Sequence, residues 1–439
     1  MKKETTSADQ SNEGGFELWY LISFFFGLLW PAMFYVLTQT YVLDVTGSAA
    51  SAGLVLAIMG LGAVAAPVFG SLADRYRAHR PIQIFSLVLV IGGILIMGFA
   101  QDELFFTLAA IMVGVGLAPV SVINTVYVVA AGHSPEVEAR VLGWVQRMTF
   151  AGVILGGFVI GGLLQLRAQG VVSYATLFVI CAAAMGVALL LAIFATRDVA
   201  ARVAKLAAQR AEQANQEAPP GKFSLGEMLK STFGLGMLVI FLVHVGWIGM
   251  AGQYVNFLNG AFGVNPAVAS SVNSVAVFLS LFVIGFTGKW LGGAGPVPVL
   301  TAGMVGRAIG ALAMLAVGWL LGGAGGTAVA LALLVWVALR LINPFTEMGN
   351  PVLAARTALG GAAQAQAVMI AIFALAITVG NILAGQLAER IGWLALPWQT
   401  IIFSILAFLV IWFGVRPRLA AGDNKPDPEM LMAERAVET

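Results

Sequence analysis

Twelve long apolar runs separated by short polar connections constrain this chain more than any other feature of it. The first six fall at about 18–42, 50–72, 81–101, 104–131, 139–165 and 171–195. The second six fall at about 233–258, 267–288, 297–321, 327–354, 363–388 and 394–415. At a helical rise of 1.5 Å per residue, roughly 20 apolar residues cross a hydrocarbon core about 30 Å thick. Backbone polar groups find no partner in lipid, so each run is expected as a helix that satisfies its own hydrogen bonds. Barrel strands would alternate over about ten residues, whereas residues 87–98 (LVLVIGGILIMG) are apolar throughout. Charged residues make up 10% of the chain, against roughly 25% in a soluble domain. That excludes a water-soluble enzyme, a disordered chain and a nucleic-acid binder with a basic face. The expected class is an all-α polytopic membrane protein with twelve transmembrane helices.

Basic residues set the expected orientation. With both ends inside, the inner segments hold eighteen Lys and Arg, the outer loops only Arg167 and Arg390, and three (Arg147, Arg307, Arg340) fall within spans. The segment 1–17 lacks the basic start and short apolar stretch of a signal peptide, so the first span is expected to be retained. The reading is an integral protein of a bacterial inner membrane with both termini cytoplasmic. Its parts are a tail (1–17), a six-helix bundle (18–195), a linker (196–232), a second six-helix bundle (233–415) and a second tail (416–439). The linker, with Arg202, Lys205 and Arg210 before Pro219-Pro220-Gly221, is expected to carry a short surface helix against the anionic inner leaflet.

The two halves repeat. Gly70 and Gly285 close the second and eighth spans, 215 residues apart, and Pro119 and Pro344 lie 225 apart in the fourth and tenth. Gly156 and Gly161 in the fifth span match Gly380 and Gly385 in the eleventh at an offset of 224. Two such halves related by an axis along the membrane normal are a known transporter architecture, with the site near midplane between them.

Between the second and third spans stands Gly70-Ser-Leu72-Ala-Asp74-Arg75-Tyr-Arg77-Ala-His79-Arg80. In this place it resembles the signature of the major facilitator superfamily, a Gly, Asp, Arg and basic cluster in the same loop. Arg77 stands where that family usually has a second glycine. The second copy, Gly285-Phe-Thr-Gly288-Lys289-Trp-Leu-Gly292, keeps both glycines but has Lys289 in the place of the Asp. The resemblance implies the superfamily's fold of two pseudo-symmetric six-helix bundles and its usual monomeric state. Gly70, Asp74, Arg75, Arg77 and Arg80 are expected as a conformational latch, since Asp74 can accept from amides at a helix N-terminus and the arginines can reach carboxylates across the inner face. The alternative is that these arginines only set topology. Ala110 occupies the position where proton-coupled drug exporters of the family carry a span-four arginine. Gly152, Gly156, Gly157, Gly161 and Gly162 are similar to the antiporter glycine ladder, without its Gly-Pro pair; small residues at this spacing also suit helix packing in general.

Ionisable groups inside a bundle are costly and tend to be functional. In the tenth span Arg340, Asn343, Glu347 and Asn350 recur at i, i+3, i+7 and i+10 and share one helical face. Pro344 and Pro351 predict a kink there. Glu347 is a candidate proton carrier, or else a permanent ion-pair partner of Arg340 or Arg356 that closes an inner gate. His244 is a second proton candidate, since imidazole titrates near neutral pH. Arg307 is expected either to attract an anionic substrate or to snorkel to the interface or pair, and Arg147 to be a gate or interface residue rather than a ligand. The remaining cavity candidates are Tyr35 and Gln39 in the first span, Asn124 and Tyr127 in the fourth, Trp247, Gln253, Tyr254 and Asn256 in the seventh and Asn273 in the eighth.

No phosphate-binding glycine loop is present, and the three histidines and one cysteine are scattered, so no enzyme, cofactor or metal is expected. The functional expectation is a secondary transporter working by alternating access in the lipid bilayer, with protons as coupling ion, exporting a small amphipathic or hydrophobic compound. Passage of a polar or anionic solute, or a non-transporting receptor or lipid-handling protein on the same scaffold, are the alternatives.

Overall fold

The computed structural model describes residues 15–131, 133–213, 230–321, 325–358 and 362–421, and every regular element among them is helical. Among the described residues eleven helices are long and apolar enough to cross a membrane. Span one is Tyr20–Thr46. Spans three to six are His79–Phe99, Glu103–Val129, Pro135–Ala168 and Tyr174–Phe194. Spans seven to eleven are Thr232–Ala251, Pro266–Ala294, Pro296–Leu320, Gly326–Arg356 and Ala362–Arg390, and span twelve is Ala395–Ala421. Span two is the twelfth crossing. It is assembled from Ala49–Leu61, a 3-10 turn Gly62–Ala65 and Ala66–Tyr76. The break falls where its backbone touches span four: a Cβ on Gly62 would stand 2.2 Å from Gly114 C.

Several helices begin earlier than the apolar runs predict. Ser48, Asp102, Ser134, Ser231 and Asn265 each accept a hydrogen bond from a first-turn amide. These polar caps satisfy orphan N–H groups outside the apolar stretch, so hydropathy alone places the helix start too late. Span one widens into a π-helical stretch, Met33–Thr38, directly after Pro31. Span seven breaks at Gly252-Gln253 and resumes as Tyr254–Phe262. The linker carries a helix, Arg197–Gln213, whose Val199 and Val203 are buried while Arg202 and Lys205 are exposed; residues 214–229 and the tails at 1–14 and 422–439 lie outside the described residues.

Spans one to six form one bundle and seven to twelve the other; span two packs on eleven and span five on eight to join them. The repeat is visible in this packing. A Cβ on Gly156 would meet Leu28 O of span one at 2.0 Å, and one on Gly380 would meet Val245 O of span seven at 3.1 Å. A Cβ on Gly161 would meet Ala267 O of span eight at 3.0 Å, and one on Gly385 would meet Ala49 O, at the head of span two, at 2.7 Å. Each pair therefore seats its first glycine on its own bundle and its second on the other. Large apolar side chains such as Phe194, Phe282, Leu334 and Phe413 are exposed on the outside, a surface that lipid covers.

Arg77 is the one described non-glycine residue with positive φ, at +52°. The left-handed region costs an L-residue about 1–2 kcal/mol, which explains a family preference for glycine there. Arg77→Gly should therefore stabilise the protein by about 0.5–1 kcal/mol after the greater unfolded-state freedom of glycine is subtracted. A thermal denaturation midpoint raised in detergent is the expected observation; an unchanged or lowered one would show that the Arg77 side chain compensates for its backbone.

Candidate functional site: a cavity between the bundles

Both described chain ends emerge on one face, the terminal face. Toward the opposite, far face the bundles are tied together. The Glu389 carboxylate at the end of span eleven accepts from Ser48 Oγ at 2.6 Å and from the Ala50 amide at 2.8 Å, capping the start of span two across the interface. Asn256 Nδ2 donates to Gln39 O at 3.2 Å and Gln253 Nε2 to Ala49 O at 3.5 Å. Ser270 Oγ donates to Gly157 O at 2.7 Å. Small residues let these backbones approach: a Cβ on Gly53 would stand 2.5 Å from Asn381 O.

On the terminal side of these contacts lies a cavity of about 230 Å³ lined by both bundles. Trp30, Tyr35 and Phe150 come from the first; Trp247, Tyr254, Asn273, Arg340, Asn343 and Glu347 come from the second. A second lobe of about 210 Å³, walled by Ile240, Asn350, Pro351, Met369 and Ile370, adjoins it. His244, Glu347 and Phe373 line both lobes and form the neck between them.

The polar face of span ten is therefore a cavity wall. Arg340 is half-buried and makes no hydrogen bond or ion pair among the described residues; its guanidinium lies 5.8 Å from the Trp247 ring centre. Glu347 is exposed and accepts from Asn343 Nδ2. Asn343 accepts in turn from Arg307 Nη2 at 2.6 Å. Arg307 is 1% exposed and also donates to Val243 O and Thr346 Oγ1, so it neither snorkels nor lines the cavity but sits behind its wall. His244 is buried, with Nδ1 2.8 Å from Ile240 O and its ring edge-on to Phe373.

Other candidates lie elsewhere. Gln39, Gln253 and Asn256 belong to the far-face closure. Asn124 is inside the first bundle, accepting from Gln83 Nε2 at 2.8 Å and donating to Ser23 Oγ, and Tyr127 is buried beside Trp19. An uncharged polar side chain can bridge helices as readily as line a cavity, and these bridge. Asn350 reaches the second lobe with its Oδ1 unpartnered among the described residues. Of the signature residues, Gly70 is half-buried, Arg75 is exposed over the Tyr76 ring, Arg77 is exposed and Arg80 donates to Ile193 O of span six. The Asp74 side chain lies outside the described part of the structure. Arg147 is exposed and stacks on Trp144 at 5.2 Å.

Sequence reasoning missed Trp336, which lies stacked between Trp247 and Tyr254 at centroid distances of 5.9 and 5.1 Å and donates to Asn273 Oδ1. The signal was available, since Trp336 precedes Arg340 by four residues and continues the same helical face. Glu389 carried no signal: a carboxylate at a span end is ordinary until the opposite helix start is seen against it.

A family model described as Major Facilitator Superfamily matches residues 19–339. Among solved structures, the fold is similar to the nucleoside transporter NupG (TM-score 0.66, 17% identity, 90% of this chain and 97% of that chain). It is also similar to the xylose transporter XylE from E. coli in a partially occluded inward open conformation (TM-score 0.64, 15%, 91% and 99%). A third is a POT family transporter in complex with 5-aminolevulinic acid (TM-score 0.64, 15%, 90% and 94%). No curated protein matches the chain in sequence.

Proposed function

This chain belongs to the major facilitator superfamily and is a secondary transporter rather than an enzyme, and from that premise we propose that it exports a small amphipathic compound in exchange for protons. The observation that carries this reading is Glu347, a carboxylate exposed at the neck common to both lobes of the cavity. A proton carrier must meet the substrate path, and Glu347 stands in it. The aromatic wall of Trp30, Tyr35, Phe150, Trp247 and Tyr254 supports an amphipathic rather than a sugar-like solute. On the same reading the terminal face is cytoplasmic, which the eighteen-to-two distribution of basic residues supports. Gly70, Asp74, Arg75, Arg77 and Arg80 latch that face when it closes, His244 flanks the proton site, and the working unit is a monomer in the bilayer.

The test is proton movement in everted vesicles with an acid interior, challenged with a panel of amphipathic compounds. Compound-dependent proton release is expected with the native protein and is expected to vanish in Glu347→Gln, whose amide keeps the shape of the carboxyl but not its titration. Release that persists in this variant would remove Glu347 as the carrier; no release with any compound, with folded protein, would remove proton exchange itself.

A further inference from the structure

The cavity presents one group of each charge. Arg340 and Glu347 stand on one face of span ten, about 10 Å apart along its axis at 1.5 Å per residue, and both line the first lobe. Arg340 brings five N–H donors, none of them engaged among the described residues. Among the described residues Glu347 has one hydrogen-bond partner, Asn343, and is otherwise open. Between and beside them the wall is aromatic, with Trp247 backed by the flat Trp247–Trp336–Tyr254 stack and Tyr35 contributed by the other bundle. The region's other cation, Arg307, reaches Glu347 only through the neutral amide of Asn343, so neither Arg340 nor Glu347 has an ion-pair partner among the described residues.

We infer that the transported compound is a small zwitterion with a flat apolar body, its carboxylate held by Arg340 and its ammonium by Glu347. A lone amine would leave the Arg340 fork desolvated and unpaired, and a lone acid would face Glu347 without a counter-charge; both omissions weaken binding. The assignment also supplies the exchange. An ammonium on Glu347 and a proton on Glu347 exclude one another, so substrate release on one face and proton uptake on the same group are linked. It rests on the cavity being the transport site, as proposed above, but not on proton coupling being demonstrated.

Calorimetric titration of the native full-length protein in lipid nanodiscs at neutral pH tests it with two matched sets. One is tryptophan, tryptamine and indole-3-propionate; the other, with its charges at opposite ends of a ring, is 4-(aminomethyl)benzoate, benzylamine and 4-methylbenzoate. In at least one set the zwitterion should bind tenfold or more tightly than both singly charged counterparts, a difference of about 1.4 kcal/mol or more. Arg340→Gln should bring the zwitterion down to the amine, and Glu347→Gln should bring it down to the acid. Equal binding of an amine or an acid in both sets, or no binding by either zwitterion, would overturn the inference. Since no step reads protons, a binding zwitterion that drives no proton release would leave this assignment standing and overturn the exchange reading alone. Amines that drive proton release and bind as well as their zwitterions in both sets would do the reverse.

Discussion

Gly385→Leu should open the far face. A Cβ at this position would stand 2.7 Å from Ala49 O and 3.0 Å from Ala50 Cα, both backbone atoms that cannot swing aside. A leucine there must separate span eleven from span two, and overpacking of this kind costs about 1–3 kcal/mol. The cost falls only on the conformation in which the far face is closed, so the conformational equilibrium moves by roughly ten- to a hundredfold. A reporter cysteine at Ser280, a half-buried cavity residue, reads the change once the native Cys181 has been replaced by alanine. Labelling of Ser280→Cys by an impermeant maleimide added at the far face should be slow in the parent and at least tenfold faster with Gly385→Leu. Gly162→Leu is the matched control, because a Cβ at Gly162 meets nothing within 4 Å. Equal labelling of the two leucine variants would mean that the crossing of spans two and eleven does not hold the far face shut.

The same contrast between Gly385 and Gly162 shows how far the sequence can be read. Membrane crossings are legible because lipid leaves a segment no choice but to close its own hydrogen bonds over a fixed length. Span two is the exception: its break follows from contact with Gly114, a tertiary fact that hydropathy does not encode. The cavity wall in span ten was legible because ionisable groups on an apolar helix announce a polar side, and Arg340, Asn343 and Glu347 fall on it. Asn124 and Asn273 were not separable by sequence. Each is an amide in an apolar run, yet one bridges three helices inside a bundle while the other lines the cavity and accepts from Trp336. The span-five glycines were readable as close-packing residues but not by partner: Gly152 and Gly156 face span one, whereas Gly157 and Gly161 face span eight. That division gives one run of small residues both an intra-bundle and an inter-bundle task.

Arg307 and Arg340, both intramembrane arginines of the second bundle, should separate cleanly on mutation. Arg307 is enclosed, and its guanidinium serves Val243 O, Asn343 Oδ1 and Thr346 Oγ1 while lying 4.7 Å from the Trp247 ring centre. Removing it in Arg307→Met strips the acceptor Asn343 Oδ1 of its charged donor and frees the amide that orients Glu347, a loss of about 2–4 kcal/mol in the range for buried charged hydrogen bonds. Arg307→Lys should recover less than half of this, because an ammonium on a single stem cannot span three acceptors that a planar fork reaches together. Arg340 has no such partners among the described residues, so Arg340→Gln should leave the denaturation midpoint and detergent monodispersity unchanged. A midpoint lowered markedly in Arg307→Met but not in Arg340→Gln is the expected pattern. If Arg307→Met keeps native stability, the chain from Arg307 through Asn343 to Glu347 contributes little to the bundle, and its geometry must be retained for the carboxylate it ends on.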